Sequence, residues 1–156
     1  MEAVIHAIIL SLLPVAELRG GIPYLVASGM SIYWAFVICV LANMLVPPIV
    51  FVFLDTVHKF LYRINIYQKL FDRLVVRTRR KAERNVGKYG YWGIMLFVAI
   101  PLPITGAYTG TLAAWLLKLN KKKSFLYLAL GVVIAGIIVS IATVTGAKIF
   151  EIFLKQ

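Results

Sequence analysis

Glu17, Leu18, Arg19, Gly20, Gly21, Ile22 and Pro23 set an acid, a guanidinium, two glycines and a proline inside an apolar N-terminal run. Ionisable groups among membrane helices are costly, and they mark substrate or ion pathways, proton relays or locked ion pairs. Arg19 suits an anionic group such as a carboxylate or phosphate. Glu17 is the group that can gain or lose a proton when its surroundings change. Gly20 and Gly21 are expected to turn the chain outside a helix, with amides facing a ligand. The competing reading is a buried Glu17–Arg19 pair that only locks the local turn. His6 reads as a packing residue.

The elements that position this motif are short. The apolar residues before it, 5–14, and after it, 24–27, cannot cross a bilayer core, which takes about 20 apolar residues. A broken helix that enters and returns is expected. The first stretch long enough to span is 31–60, where Pro47 and Pro48 remove two backbone donors and should bend it. Asn43, one turn earlier, either bonds across helices or lines a pathway. Asp55, His58 and Lys59 are expected in interfacial water.

A second broken segment covers 91–117, interrupted by Pro101, Leu102, Pro103, Ile104, Thr105 and Gly106. Pro101 and Pro103 supply rigid turns with free carbonyls, and Thr105 adds a hydroxyl beside Gly106. A half-helix that starts near such a break points its positive end inward, which favours an anion. Small residues at Gly106, Gly110 and Ala114, and again at Gly131, Ala135, Gly136 and Ser140 in the last span, 125–150, allow helices to approach closely.

Of the 156 residues 62% are hydrophobic and 15% charged, and the mean hydropathy is +0.89. That composition predicts an integral membrane protein. The net charge of +11 lies between apolar segments instead of on a soluble face, which argues against nucleic acid. Cys39 has no second cysteine to pair with in the chain. No metal-ligand spacing, nucleotide-binding glycine loop or nucleophile–base set is visible, so neither catalysis, metal nor cofactor is expected.

Charge sets the expected topology. Residues 61–89 carry Arg77, Arg79, Arg80 and Lys81 among many other cations, with apolar residues at helical spacing, and read as a basic amphipathic helix on the membrane surface. If 91–117 crossed the bilayer, this cluster and Lys118, Lys121, Lys122 and Lys123 would lie on opposite sides, against the positive-inside bias. Entering and returning keeps both cytoplasmic. The expected fold is therefore all-α: two inverted repeats, each a re-entrant broken-helix hairpin followed by a transmembrane helix, plus the basic interfacial helix. A single membrane domain covers 1–156, with repeat one at 1–60 and repeat two at 90–156. Discontinuous segments in corresponding positions point to a transport site, here at meeting hairpin tips.

The stretches Pro14-x-x-Glu17-Leu18-Arg19-Gly20-Gly21-Ile22-Pro23 and Pro101-Leu102-Pro103-Ile104-Thr105-Gly106-Ala107-Tyr108-Thr109-Gly110 resemble the small multidrug export family, itself similar to the DedA/VTT-domain superfamily. The resemblance covers nearly the whole chain. It implies opposed re-entrant hairpins and, from the DedA-like relatives, translocation of polyprenyl phosphate or phospholipid with coupling to protons. Those relatives place arginines within and after the second motif, whereas 100–117 contains none.

The functional expectation is a plasma-membrane, multi-pass transporter or flippase for an amphiphile with an anionic head. Its binding set comprises Glu17, Arg19, Gly20, Gly21, Pro23, Asn43, Pro101, Pro103, Thr105 and Gly106. Two alternatives stand beside it, a proton-coupled exporter of cationic drugs and a non-transporting membrane scaffold whose basic helix recruits partners or lipids. The expected partners are a membrane lipid or amphiphilic small molecule, protons, and a second copy of the chain in a homodimer.

Overall fold

The computed structural model describes residues 1–61, 63, 68–73, 75–76, 89–101 and 105–154. Among these residues the structure is helical, with no strand. The helices are α1 (Glu2–Leu12), α2 (Glu17–Ala27), α3 (Ile32–Met44), α4 (Val46–Asp55), α5 (Val57–Leu61), α6 (Tyr91–Ala99), α7 (Ala107–Leu116) and α8 (Lys121–Leu154). The chain divides into two compact units, Met1–Asn43 with Val133–Gln156, and Met44–Val132.

In the first unit α1 and α2 fold back on each other. His6 lies beside Tyr24, and Gly21 meets Ala7 and Ser11, an antiparallel pairing. The cause of the turn is local. Leu13 is extended, at φ −80° and ψ 136°, because Pro14 disfavours the α conformation in the residue before it. The core here is Ala7, Ile22, Leu25, Ala35 and Cys39, each fully buried.

In the second unit α6 and α7 form the corresponding hairpin. Gly110 packs on Val98, and the Tyr91 hydroxyl accepts from the Asn120 amide at 3.2 Å. Ile100, directly before Pro101, is extended at φ −85° and ψ 110°, for the same reason as Leu13. Ile94, Ala107, Ala114 and Leu128 are fully buried.

The two hairpins end alike. Gly29, at φ +88°, donates to the Val26 carbonyl and Met30 to that of Leu25, both at 3.0 Å. Lys118, at φ +52°, donates to Trp115 and Leu119 to Ala114, again at 3.0 Å. Both are Schellman caps that stop one helix so that the next can start. Counterparts keep one spacing: Gly29 and Lys118, Met30 and Leu119, and the helix starts Ile32 and Lys121 are each 89 positions apart. Gly21 and Gly110 obey the same shift, as do the side chains they touch, Cys39 and Leu128.

Two helices are long and apolar enough to cross a membrane, Ile32–Asp55 and Lys121–Gly146, each with mean hydropathy 2.6. Only 44% and 33% of these windows are buried within the protein, so their apolar surface faces outward, unlike that of a soluble core helix. The expected bend at the prolines is present as a break at Leu45, with Pro47 and Pro48 in the first turn of α4, where missing donors cost least. The last helix begins at Lys121 rather than near Phe125. Asn120 explains this, because its side-chain oxygen accepts from the Lys122 and Lys123 amides at 3.1 and 3.2 Å and starts the helix early.

Candidate functional site

The first motif does not form a loop. The turn is 13–16, and Glu17 through Pro23 make up the first two turns of α2. The expectation that Gly20 and Gly21 present free amides is therefore corrected, since both lie inside the helix and the Gly20 amide donates to the Ala16 carbonyl at 3.0 Å. Their missing side chains serve packing. A Cβ on Gly21 would overlap the Ser11 hydroxyl and stand 2.9 Å from Cys39 Sγ and 3.0 Å from the Ala7 carbonyl oxygen. Pro23, seven residues into α2, has no N–H to offer the carbonyl four residues back.

Glu17 is 7% exposed and adopts φ +45°, a left-handed conformation that a side chain with a Cβ rarely takes. As the first residue of α2 it stands where the helix dipole favours a carboxylate. Strain and a buried acid thus coincide at one residue of the hairpin. Arg19, two residues on, is half-buried.

Asn43 is buried, and its Nδ2 donates to the Ser11 carbonyl oxygen at 2.7 Å. That carbonyl would be satisfied by residue 15 if α1 continued, and the break at Leu13 leaves it to the Asn43 amide. The Ser11 hydroxyl, fully buried beside the Cys39 thiol, has no oxygen or nitrogen partner among the described residues.

At the second break, Pro101 is half-buried, and Thr105 Oγ1 donates to the Ile100 carbonyl at 2.6 Å, closing the end of α6. Gly106 is buried and extended, and its carbonyl opens the helical ladder by accepting from the Gly110 amide at 2.9 Å. Leu102, Pro103 and Ile104 lie outside the described residues, as do Arg77, Arg79, Arg80 and Lys81. The small residues expected at helix contacts are used within the chain. Gly131 closes on the Met95 carbonyl and Val98, and Gly136 on Phe36 and Val40.

The second unit also holds an apolar cavity of about 550 Å³. Its walls include Ile49, Phe53 and Leu54 of α4, Phe71, and Tyr108 and Leu112 of α7. The same unit holds a polar cluster. Asp55 accepts from Trp115 Nε1 at 3.1 Å and pairs with Lys121 Nζ, while the buried His58 ring packs on Trp115 and Phe71. Burial pushes His58 below the ordinary histidine pKa, and nearby Asp72 opposes part of that shift. The sequence pattern gave Asp55 and His58 an interfacial place but no partners, because nothing in it pairs residues 55, 58, 115 and 121.

No group of three or more His, Cys, Asp or Glu side chains poised for a metal occurs among the described residues. No curated protein and no solved structure matches the chain. The family described as "Putative small multi-drug export protein" matches residues 17–138, from the buried glutamate of the first hairpin to the middle of α8. The chain belongs to that family.

Proposed function

We propose that this membrane protein is a transporter whose first hairpin handles an amphiphile with an anionic head, Arg19 holding the head and Glu17 switching with its protonation. The observation that carries the reading is Glu17 itself, a strained and buried carboxylate in a hairpin of a membrane protein. Both hairpins are re-entrant in this reading and enter from opposite faces as inverted repeats. The Asp55–Lys121 pair supports it by setting the end of one candidate span level with the start of the other. The chain between them, with the second hairpin, then starts and finishes on one side, where the positive-inside bias puts the cytoplasm. With the glycine amides bonded inside α2, head recognition falls to Arg19.

The test is movement of a labelled polyprenyl phosphate across liposomes holding the purified protein, wild type beside Arg19→Ala and Glu17→Gln, at two pH values. Transport that needs Arg19 and loses its pH dependence in Glu17→Gln is expected. Equal transport by folded Arg19→Ala would refute the assignment. A second reading, proton-coupled export of cationic drugs, is favoured by the family description and by the same buried acid. There Arg19 opposes the substrate, and Arg19→Ala would raise cationic-dye efflux.

A further inference from the structure

The second unit holds a further amphipathic groove, between α4 and the first two turns of α8. The groove, of about 440 Å³, is floored by Pro48, Phe51, Val52 and Phe125 and rimmed by Asp55, Lys121 and Lys122. Its two characters divide cleanly: apolar carbon lies along the spans, and charge gathers where both candidate spans end.

The charge is unbalanced. Lys118, Lys121, Lys122 and Lys123 fall within six residues, and α8 has no acid in its first turn. Cations at a helix N-terminus are disfavoured by the dipole. Asp55 meets Lys121, and its other oxygen already accepts from Trp115. Val52 leaves 64% of its surface uncovered beside this rim. An occupant must bring negative charge at the level of the membrane surface and hydrocarbon directly below it.

We propose that the groove binds an anionic phospholipid, its phosphate against Lys122 and Lys121 and its first methylenes along Pro48, Phe51, Val52 and Phe125. Charge complementarity selects the head, and the apolar floor selects a lipid over a free anion. This lipid is a resident of the interface, so the site stands whether or not the first hairpin transports anything.

Trp115, bonded to the rim carboxylate, is a built-in reporter. The full chain carrying Trp34→Phe and Trp92→Phe, in a neutral detergent, is titrated with phosphatidylglycerol or phosphatidylcholine brominated near the head end of the chains, and Trp115 quenching is read. Phosphatidylglycerol is expected to saturate at about 5- to 25-fold lower concentration. Lys121→Gln with Lys122→Gln should cost that preference, about 5-fold for each lysine, while the charge-matched Lys118→Gln with Lys123→Gln keeps most of it. Asp55→Asn, which still offers Trp115 an acceptor, should tighten phosphatidylglycerol binding and covers the case in which the double variant misfolds. Equal quenching by both lipids, equal loss in the charge-matched pair, or displacement by inorganic phosphate would each overturn the proposal.

Discussion

Adding one methyl group at Gly21 tests the first hairpin most sharply, because two effects of opposite sign compete there. Gly to Ala inside a helix stabilises by about 1 kcal/mol through backbone entropy. Against it, the new Cβ would overlap the Ser11 hydroxyl and stand 2.9 Å from Cys39 Sγ and 3.0 Å from the Ala7 carbonyl oxygen. Overpacking of this kind costs about 1–3 kcal/mol, and a backbone oxygen cannot rotate away. Gly21→Ala should therefore be destabilising by up to about 2 kcal/mol net. Ser11→Ala should cost nothing or stabilise, since it deletes a buried hydroxyl with no oxygen or nitrogen partner. The double variant should recover part of the loss, a favourable coupling of about 0.5–2 kcal/mol, because the nearest clash is gone while Cys39 and Ala7 remain. The assay is unfolding by SDS titration in mixed micelles, followed by far-UV circular dichroism. Additive single effects, or Gly21→Ala at least as stable as wild type, would mean that α1 and α2 do not pack as described.

Asn43→Ala should lower stability by about 0.6–1.7 kcal/mol in the same titration, the range for hydrogen bonds between membrane helices. Within α8, Gly131→Ala should destabilise, its Cβ falling 2.7 Å from the Met95 carbonyl oxygen, whereas Gly146→Ala, with nothing within 4 Å, should be neutral or stabilising. The pH response of His58 has a definite sign. Its folded pKa lies below 6.5, so its contribution to stability is complete above that pH and is lost as pH falls through the folded pKa. His58→Gln should flatten thermal stability measured across pH 7 to 5.

The sequence marks both breaks because prolines act on the residue before them, and Pro14 and Pro101 end their helices wherever the rest of the chain goes. It misplaces the glycines of the first motif. A pair of glycines signals a turn or a close contact equally well, and only the position of Ser11 and Cys39 across the hairpin decides for contact. The early start of α8 was open to reading in Asn120, a capping residue ahead of three lysines, but charge at 121–123 argues for a loop. The repeat spacing was also present in the letters, as Pro14 and Pro103 and as Gly21 and Gly110. Identities this scattered do not stand out until the caps at Gly29 and Lys118 align them. The cluster of Asp55, Trp115, Lys121 and His58 joins residues up to 66 positions apart, and no local pattern predicts it.

The bond from Asn43 to the Ser11 carbonyl has a consequence for how the chain is made. The ribosome delivers residue 11 well before residue 43, and until the later one arrives the end of α1 carries a carbonyl with no partner in the helix. In hydrocarbon such a group costs several kcal/mol, so a nascent chain ending in α2 has reason to keep its first hairpin near the headgroups or within the insertion machinery. Burial of the hairpin becomes favourable once most of α3 has emerged. If the hairpin enters the bilayer, the amide at position 43 becomes a checkpoint in biogenesis, coupling insertion of an element too short to anchor itself to the first helix that can.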